Sequence, residues 1–114
     1  MDDRLRAGVT LFNAGDFFAA HEIWEQLWND LVGDERVAVQ GLIQIAAGYL
    51  KDEAGVPAGA VKLLTRGLAR LQMSLPRSMG LDLTAFCVAV AADLARIRGA
   101  AGAALSPPVL RYAA

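Results

Sequence analysis

The chain has 114 residues, 55% of them apolar, and a formal net charge of −1. That length supports one hydrophobic core and not two. The balanced charge, with Lys and Arg scattered along the chain, excludes the electrostatic footprint of a nucleic-acid binder or a membrane-surface protein.

Residues 2–14 place Leu5, Val9 and Phe12 at helical spacing, with Asp2 and Asp3 at the positive end of the dipole. Gly15 suits a left-handed C-terminal cap and Asp16 an N-cap, so the first helix stops and a second, antiparallel one starts at once. That second helix is expected over residues 17–31. At ~100° per residue, Phe17, His21, Trp24, Trp28 and Leu31 share one stripe. His21 therefore points near the middle of the apolar face. Glu25 stands at its edge, one turn on, while Glu22 and Gln26 turn to the opposite side.

Asp34 is expected to cap a third helix over residues 35–54, which carries no charge between Arg36 and Lys51. A helix apolar nearly all round is a buried one, so this segment is the expected centre of the bundle. A narrow second stripe holds Gln40, Gln44, Ala47 and Lys51. Gly41 and Gly48 lie beside it and imply close approach by a neighbouring backbone. Pro57 opens a fourth helix over residues 57–73. Lys62, Arg66 and Arg70 form a basic ridge on it, read as a solvated face. After the loop at 77–81, a fifth helix starts near Asp82 and presents Leu83, Phe86, Cys87, Val90, Leu94 and Ile97 on one side. No run alternates with period two, so no strand is expected. The fold class is all-α: a compact bundle of about five helices over residues 1–98, followed by a tail at 99–114 that Val109, Leu110 and Tyr112 can drape over it.

The chemistry gathers on the second and third helices. A histidine, a glutamate and two glutamines on apolar faces cost a few kcal/mol unless they bond to one another or to something else. The tight turn between the helices brings His21 and Glu25 against Gln40 and Gln44, with Lys51 as a counter-charge at the far end and Trp24 and Trp28 as an apolar wall. Three readings follow. The network only sets helix register inside the core, it shapes a pocket for a ligand, or His21 acts as a general base oriented by Glu25.

Metal ligation has little support. His21-Glu22 begins like a zinc-protease motif, but its fifth position is Glu25 and the chain holds no second histidine. With one cysteine, Cys87, neither an intrachain disulfide nor a thiolate site can form, and its apolar stripe offers no activating base.

The run Asn13-Ala14-Gly15-Asp16-Phe17-Phe18-Ala19-Ala20-His21-Glu22-Ile23-Trp24-Glu25-Gln26-Leu27-Trp28 resembles the hallmark of the DUF309 family, a domain of unknown function. Residues Gln40-Gly41-Leu42-Ile43-Gln44-Ile45-Ala46-Ala47 are similar to its second motif. Gly59-Ala60, Leu63-Leu64 and Gly67-Leu68 are similar to its third. The resemblance covers residues 11–71 and implies a compact helical bundle, with no activity attached. Its hallmark positions fall here on His21, Glu22, Glu25, Trp28, Gln40 and Gln44. Where members often carry a histidine after the second motif, this chain has Lys51 nearby, which counts against a two-histidine site. The opening also resembles tetratricopeptide helices, but no 34-residue period recurs.

The expectation is thus a non-enzymatic module binding a small ligand or a partner chain. Its polar network comprises His21, Glu22, Glu25, Trp28, Gln40, Gln44 and Lys51. A small acid–base enzyme and a purely structural or oligomerising domain are the alternatives. No metal or cofactor, nucleic acid or membrane is expected as a partner, while a homodimer is allowed. Met1-Asp2-Asp3 carries no hydrophobic run, so no secretory signal is expected, and the expected location is cytoplasmic.

Overall fold

The computed structural model describes residues 1–99 and 108–114. Its helices are α1 (Asp3–Asn13), α2 (Phe17–Asn29), α3 (Gly33–Glu53), α4 (Pro57–Gln72) and α5 (Thr84–Ile97). The all-α expectation holds, with one correction. Two-residue strands β1 (Arg77–Ser78), β2 (Leu81–Asp82) and β3 (Arg111–Tyr112) form a small antiparallel sheet in the order β1-β2-β3. Strands this short cannot display a two-residue period, and β3 pairs with a segment some thirty residues earlier, so the sequence pattern carries no trace of them.

The helix boundaries follow local chemistry. Asp2 accepts a hydrogen bond from the Arg4 amide at 2.7 Å, and Asp16 accepts one from the Ala19 amide at 3.1 Å, each capping its helix. Gly15 adopts φ +84°, the left-handed conformation that a tight helix-to-helix turn requires. At α3 the expected Asp34 cap is displaced. The helix begins two residues earlier at Gly33, Val32 occupies the capping position without a side-chain bond, and Asp34 and Glu35 lie in the first turn. Their charges still complement the dipole there. Pro57 takes the first position of α4 as expected.

The core is built around Phe12. Its ring meets Phe17, Tyr49 and Phe86 edge-on at centroid distances of 5.0, 6.1 and 5.5 Å, and stacks on Trp24 at 5.9 Å. Four elements therefore meet at one side chain, each aromatic pair adding about 0.5–1.5 kcal/mol beyond area burial. Helices α3 and α4 approach most closely at glycine. A Cβ on Gly67 would stand 2.8 Å from the Gly41 carbonyl oxygen and 2.6 Å from Ile45 Cγ1, and one on Gly48 would stand 2.7 Å from Leu64 Cδ2. Ile23, on the polar side of α2 by periodicity, packs against the core cluster.

The C-terminal segment is anchored by specific bonds. The side chain of Asn13 donates to the Leu110 carbonyl at 2.9 Å and accepts from its amide at 2.8 Å, and Leu110 is buried. The strand partners Leu81↔Tyr112 and Asp82↔Arg111 continue the attachment. The β1–β2 turn is made by Met79 and Gly80, both at positive φ (52° and 77°), as a type I′ hairpin turn requires.

Candidate functional site

The facing sides of α2 and α3 leave a groove of ≈ 330 Å³ lined by Glu25, Trp28, Asn29, Gln40, Ile43 and Gln44. Helical spacing explains the convergence. Glu25 and Trp28 lie three residues apart on α2, Gln40 and Gln44 lie four apart on α3, and each pair occupies one face of its helix.

His21 stands one turn before Glu25, and its Nε2 lies 3.2 Å from Glu25 Oε1. The other ring nitrogen, Nδ1, faces the Phe18 carbonyl oxygen at 3.2 Å. Both nitrogens thus face oxygen acceptors. The pair is open to solvent: the Glu25 side chain is 55% exposed and that of His21 23% exposed. The exposed ring of Phe18 lies beside His21, 5.8 Å between centroids.

Trp24 and Trp28 separate in role. Trp24 is fully buried, donates its indole N–H to the Leu5 carbonyl oxygen at 3.3 Å, and forms no part of the groove wall. It also explains Gly8, where an added Cβ would fall 2.0 Å from the indole nitrogen. Trp28 is half-buried and lines the groove, and the Arg36 guanidinium lies over its ring, 3.9 Å from the centroid. Among the described residues, neither the buried Trp28 Nε1 nor the buried Arg36 Nε finds an acceptor.

Three expected members do not line the groove, and of these His21 reaches it only through Glu25. Glu22 is exposed, on the side of α2 that the helical wheel assigned to it, and does not line the groove. Lys51 is also exposed, and the stem of its side chain lies against Gly59 at the start of α4 rather than at the groove. Arg70 on α4, read from sequence as part of a solvated ridge, instead donates to Gln44 Oε1 at 3.1 Å. Arg36 was legible in principle: it stands four residues before Gln40 and eight before Gln44, so the polar stripe of α3 begins one turn earlier than its glutamines. The inward turn of Arg70 had no local signal.

Outside the groove, Cys87 is buried, and that burial pushes its thiol up to about 11. Among the described residues no group of three or more His, Cys, Asp or Glu side chains is disposed to hold a metal ion. No helix among them is long and apolar enough to cross a membrane.

Fold and groove together define a small helical bundle with a solvent-open cleft, bordered by polar side chains, between its second and third helices. The chain belongs to the family described as Domain of unknown function (DUF309), whose model matches residues 5–63. That span contains most of α1, all of α2 and α3 and the start of α4, and hence the groove lining in full. Comparison with curated proteins finds no match.

Proposed function

We propose that this protein is a non-enzymatic binding module whose ligand, a small molecule, enters the groove between α2 and α3. The observation that carries the reading is convergence: Glu25, Trp28, Gln40 and Gln44 border one groove. A network that served only helix register would be closed over by apolar side chains, whereas Glu25 is more than half exposed. An apolar wall with a few convergent polar groups is the usual form of a small-molecule site. The chain's net charge of −1 supports a ligand other than nucleic acid or a membrane surface.

The acid–base alternative is less well supported. A general base needs a lone pair free to take a substrate proton. With Nε2 turned to Glu25 and Nδ1 to the Phe18 carbonyl, and with His21 outside the groove lining, neither ring nitrogen is presented to a molecule in the groove.

The test is a melting-shift screen across a metabolite panel, run on wild type, Glu25→Gln and Gln40→Ala. A ligand at a hundred times its Kd stabilises by about 2.7 kcal/mol, which, at roughly 4–8 °C per kcal/mol for a small domain, is a shift of roughly 10–20 °C. The expected result is a ligand that raises the wild-type Tm by several degrees and loses that effect in both variants, whose own Tm values stay near wild type. Variants that melt far below wild type, with no metabolite shifting any of the three, would leave the register role as the better account.

A further inference from the structure

The chemical class of the occupant is the next inference, and it rests on the groove reading above. We infer that the groove takes a small organic monocarboxylate, received at the Trp28 wall by Arg36, whose guanidinium lies on the Trp28 ring without itself lining the groove. Two buried N–H donors without an acceptor, Trp28 Nε1 and Arg36 Nε, belong to side chains stacked on each other at 3.9 Å. Native proteins leave few such donors unpaired, and two in one stack call for an acceptor that the described residues do not supply.

Charge points the same way. Among the described residues, Arg36 and Arg70 form no ion pair with any carboxylate, although one lies on Trp28 and the other on Gln44. Two guanidinium groups therefore flank the groove with their charge uncompensated. A guanidinium recognises carboxylates through paired, charge-assisted hydrogen bonds. The carboxylate of Glu25 sets the limit on ligand charge. It is on the groove wall and engaged by His21, so it repels a second negative charge on the ligand. The occupant is therefore a monoanion whose far end is neutral or cationic. The groove volume of ≈ 330 Å³ is at the small end for ligand sites, and Ile43 and the Trp28 ring supply apolar surface for a short or aromatic body.

Both orphan nitrogens are buried in the structure, in which the guanidinium lies on the indole. A carboxylate reaches them when the half-buried Arg36 side chain tilts off the ring, exchanging a cation–π contact for charge-assisted hydrogen bonds. Arg36 is thus the cover of the site as well as its anion ligand.

The two indole N–H resonances of the ¹⁵N-labelled protein read this directly, with Trp24, bonded to Leu5, as the internal reference. The probes are benzoate, benzamide and phenyl phosphate, titrated into wild type and Arg36→Gln, with spectral dispersion confirming that the variant is folded. Expected is a saturable shift of the Trp28 resonance with benzoate while Trp24 stays fixed. Benzamide and phenyl phosphate bind at least tenfold more weakly, and Arg36→Gln loses at least tenfold in benzoate affinity. Benzamide binding as tightly as benzoate would overturn the carboxylate class and leave the groove reading intact. Phenyl phosphate binding more tightly would overturn it in favour of a phosphate-bearing ligand. A Trp28 resonance that responds to none of the three also overturns the carboxylate class, and the metabolite screen then judges the groove reading independently.

Discussion

The hydroxyl of Tyr49 donates to Asp93 Oδ2 across 2.6 Å, joining the middle of α3 to α5. Asp93 is only 5% exposed, and Arg96 stands 4.0 Å from its other oxygen. A buried carboxylate in that position depends on its donors. Replacing Tyr49 with phenylalanine keeps the ring packed against Phe12 and Phe17 but removes the hydroxyl donor. The expected cost is about 1.5–3 kcal/mol, the range for a hydrogen bond to a charged group. Urea denaturation reads it as a lower midpoint at unchanged slope, and a loss below about 0.5 kcal/mol would show that Asp93 does not need this donor.

Alkaline pH acts on the same region. Burial, then the bond to Asp93, holds the Tyr49 phenol well above the ordinary tyrosine range, and burial raises the Cys87 thiol from 9.0 to about 11. In both cases the folded state keeps its proton where the unfolded chain has begun to lose it. Stability from these groups is therefore complete below about pH 9 and falls as pH rises towards 11, with Cys87 alone accounting for about 2 kcal/mol at the upper end. Denaturation midpoints between pH 8 and 11 check this. Cys87→Ala is expected to lower the midpoint throughout but to flatten its decline.

Glycine positions on α4 separate by what lies opposite them. An alanine at Gly67 gains about 1 kcal/mol in helix propensity, yet its Cβ meets backbone and a branched core side chain at 2.6–3.1 Å. Forcing α3 and α4 apart costs about 1–3 kcal/mol. Gly59→Ala meets only the flexible stem of Lys51 and a Val56 methyl, at 3.3–3.4 Å. Thermal melts are expected to show Gly67→Ala below wild type and Gly59→Ala at or above it. The reverse order would contradict the close helix contact.

Asn13 tests the attachment of the C-terminal segment. Its alanine variant loses both bonds to Leu110, at about 0.5–1.5 kcal/mol each. Amide exchange is the sharper measurement. The Leu110 and Ala113 amides, the latter bonded to the Gly80 carbonyl at 2.8 Å, are expected to exchange faster in Asn13→Ala, while those in the middle of α3 keep their protection. Equal acceleration everywhere would mean global destabilisation instead.

What could be read from the chain was governed by interactions within a turn or two. Gly15 and Asp16 end one helix and start the next, Pro57 starts α4, and a histidine followed four residues later by a glutamate can only be neighbours on a helix. These are short-range backbone and side-chain preferences, and the family motifs lie in the same segments. The separation of Glu25 from Glu22 came from the helical wheel alone.

The tertiary structure decided the rest, because helical periodicity assigns a residue to a face but not to a partner. Whether Arg70 solvates or reaches Gln44 depends on the small separation that Gly41 and Gly67 permit between two axes. Trp24 became core and Trp28 groove wall because Gly8 admits one indole and not the other. The Tyr49–Asp93 bond, the hold of Asn13 on Leu110 and the pairing of β3 with β2 join residues 29 to 97 positions apart, where no local preference operates. The sequence determined which helices form and which faces are polar. Only their packing decided that the polar faces open onto a groove instead of closing into the core.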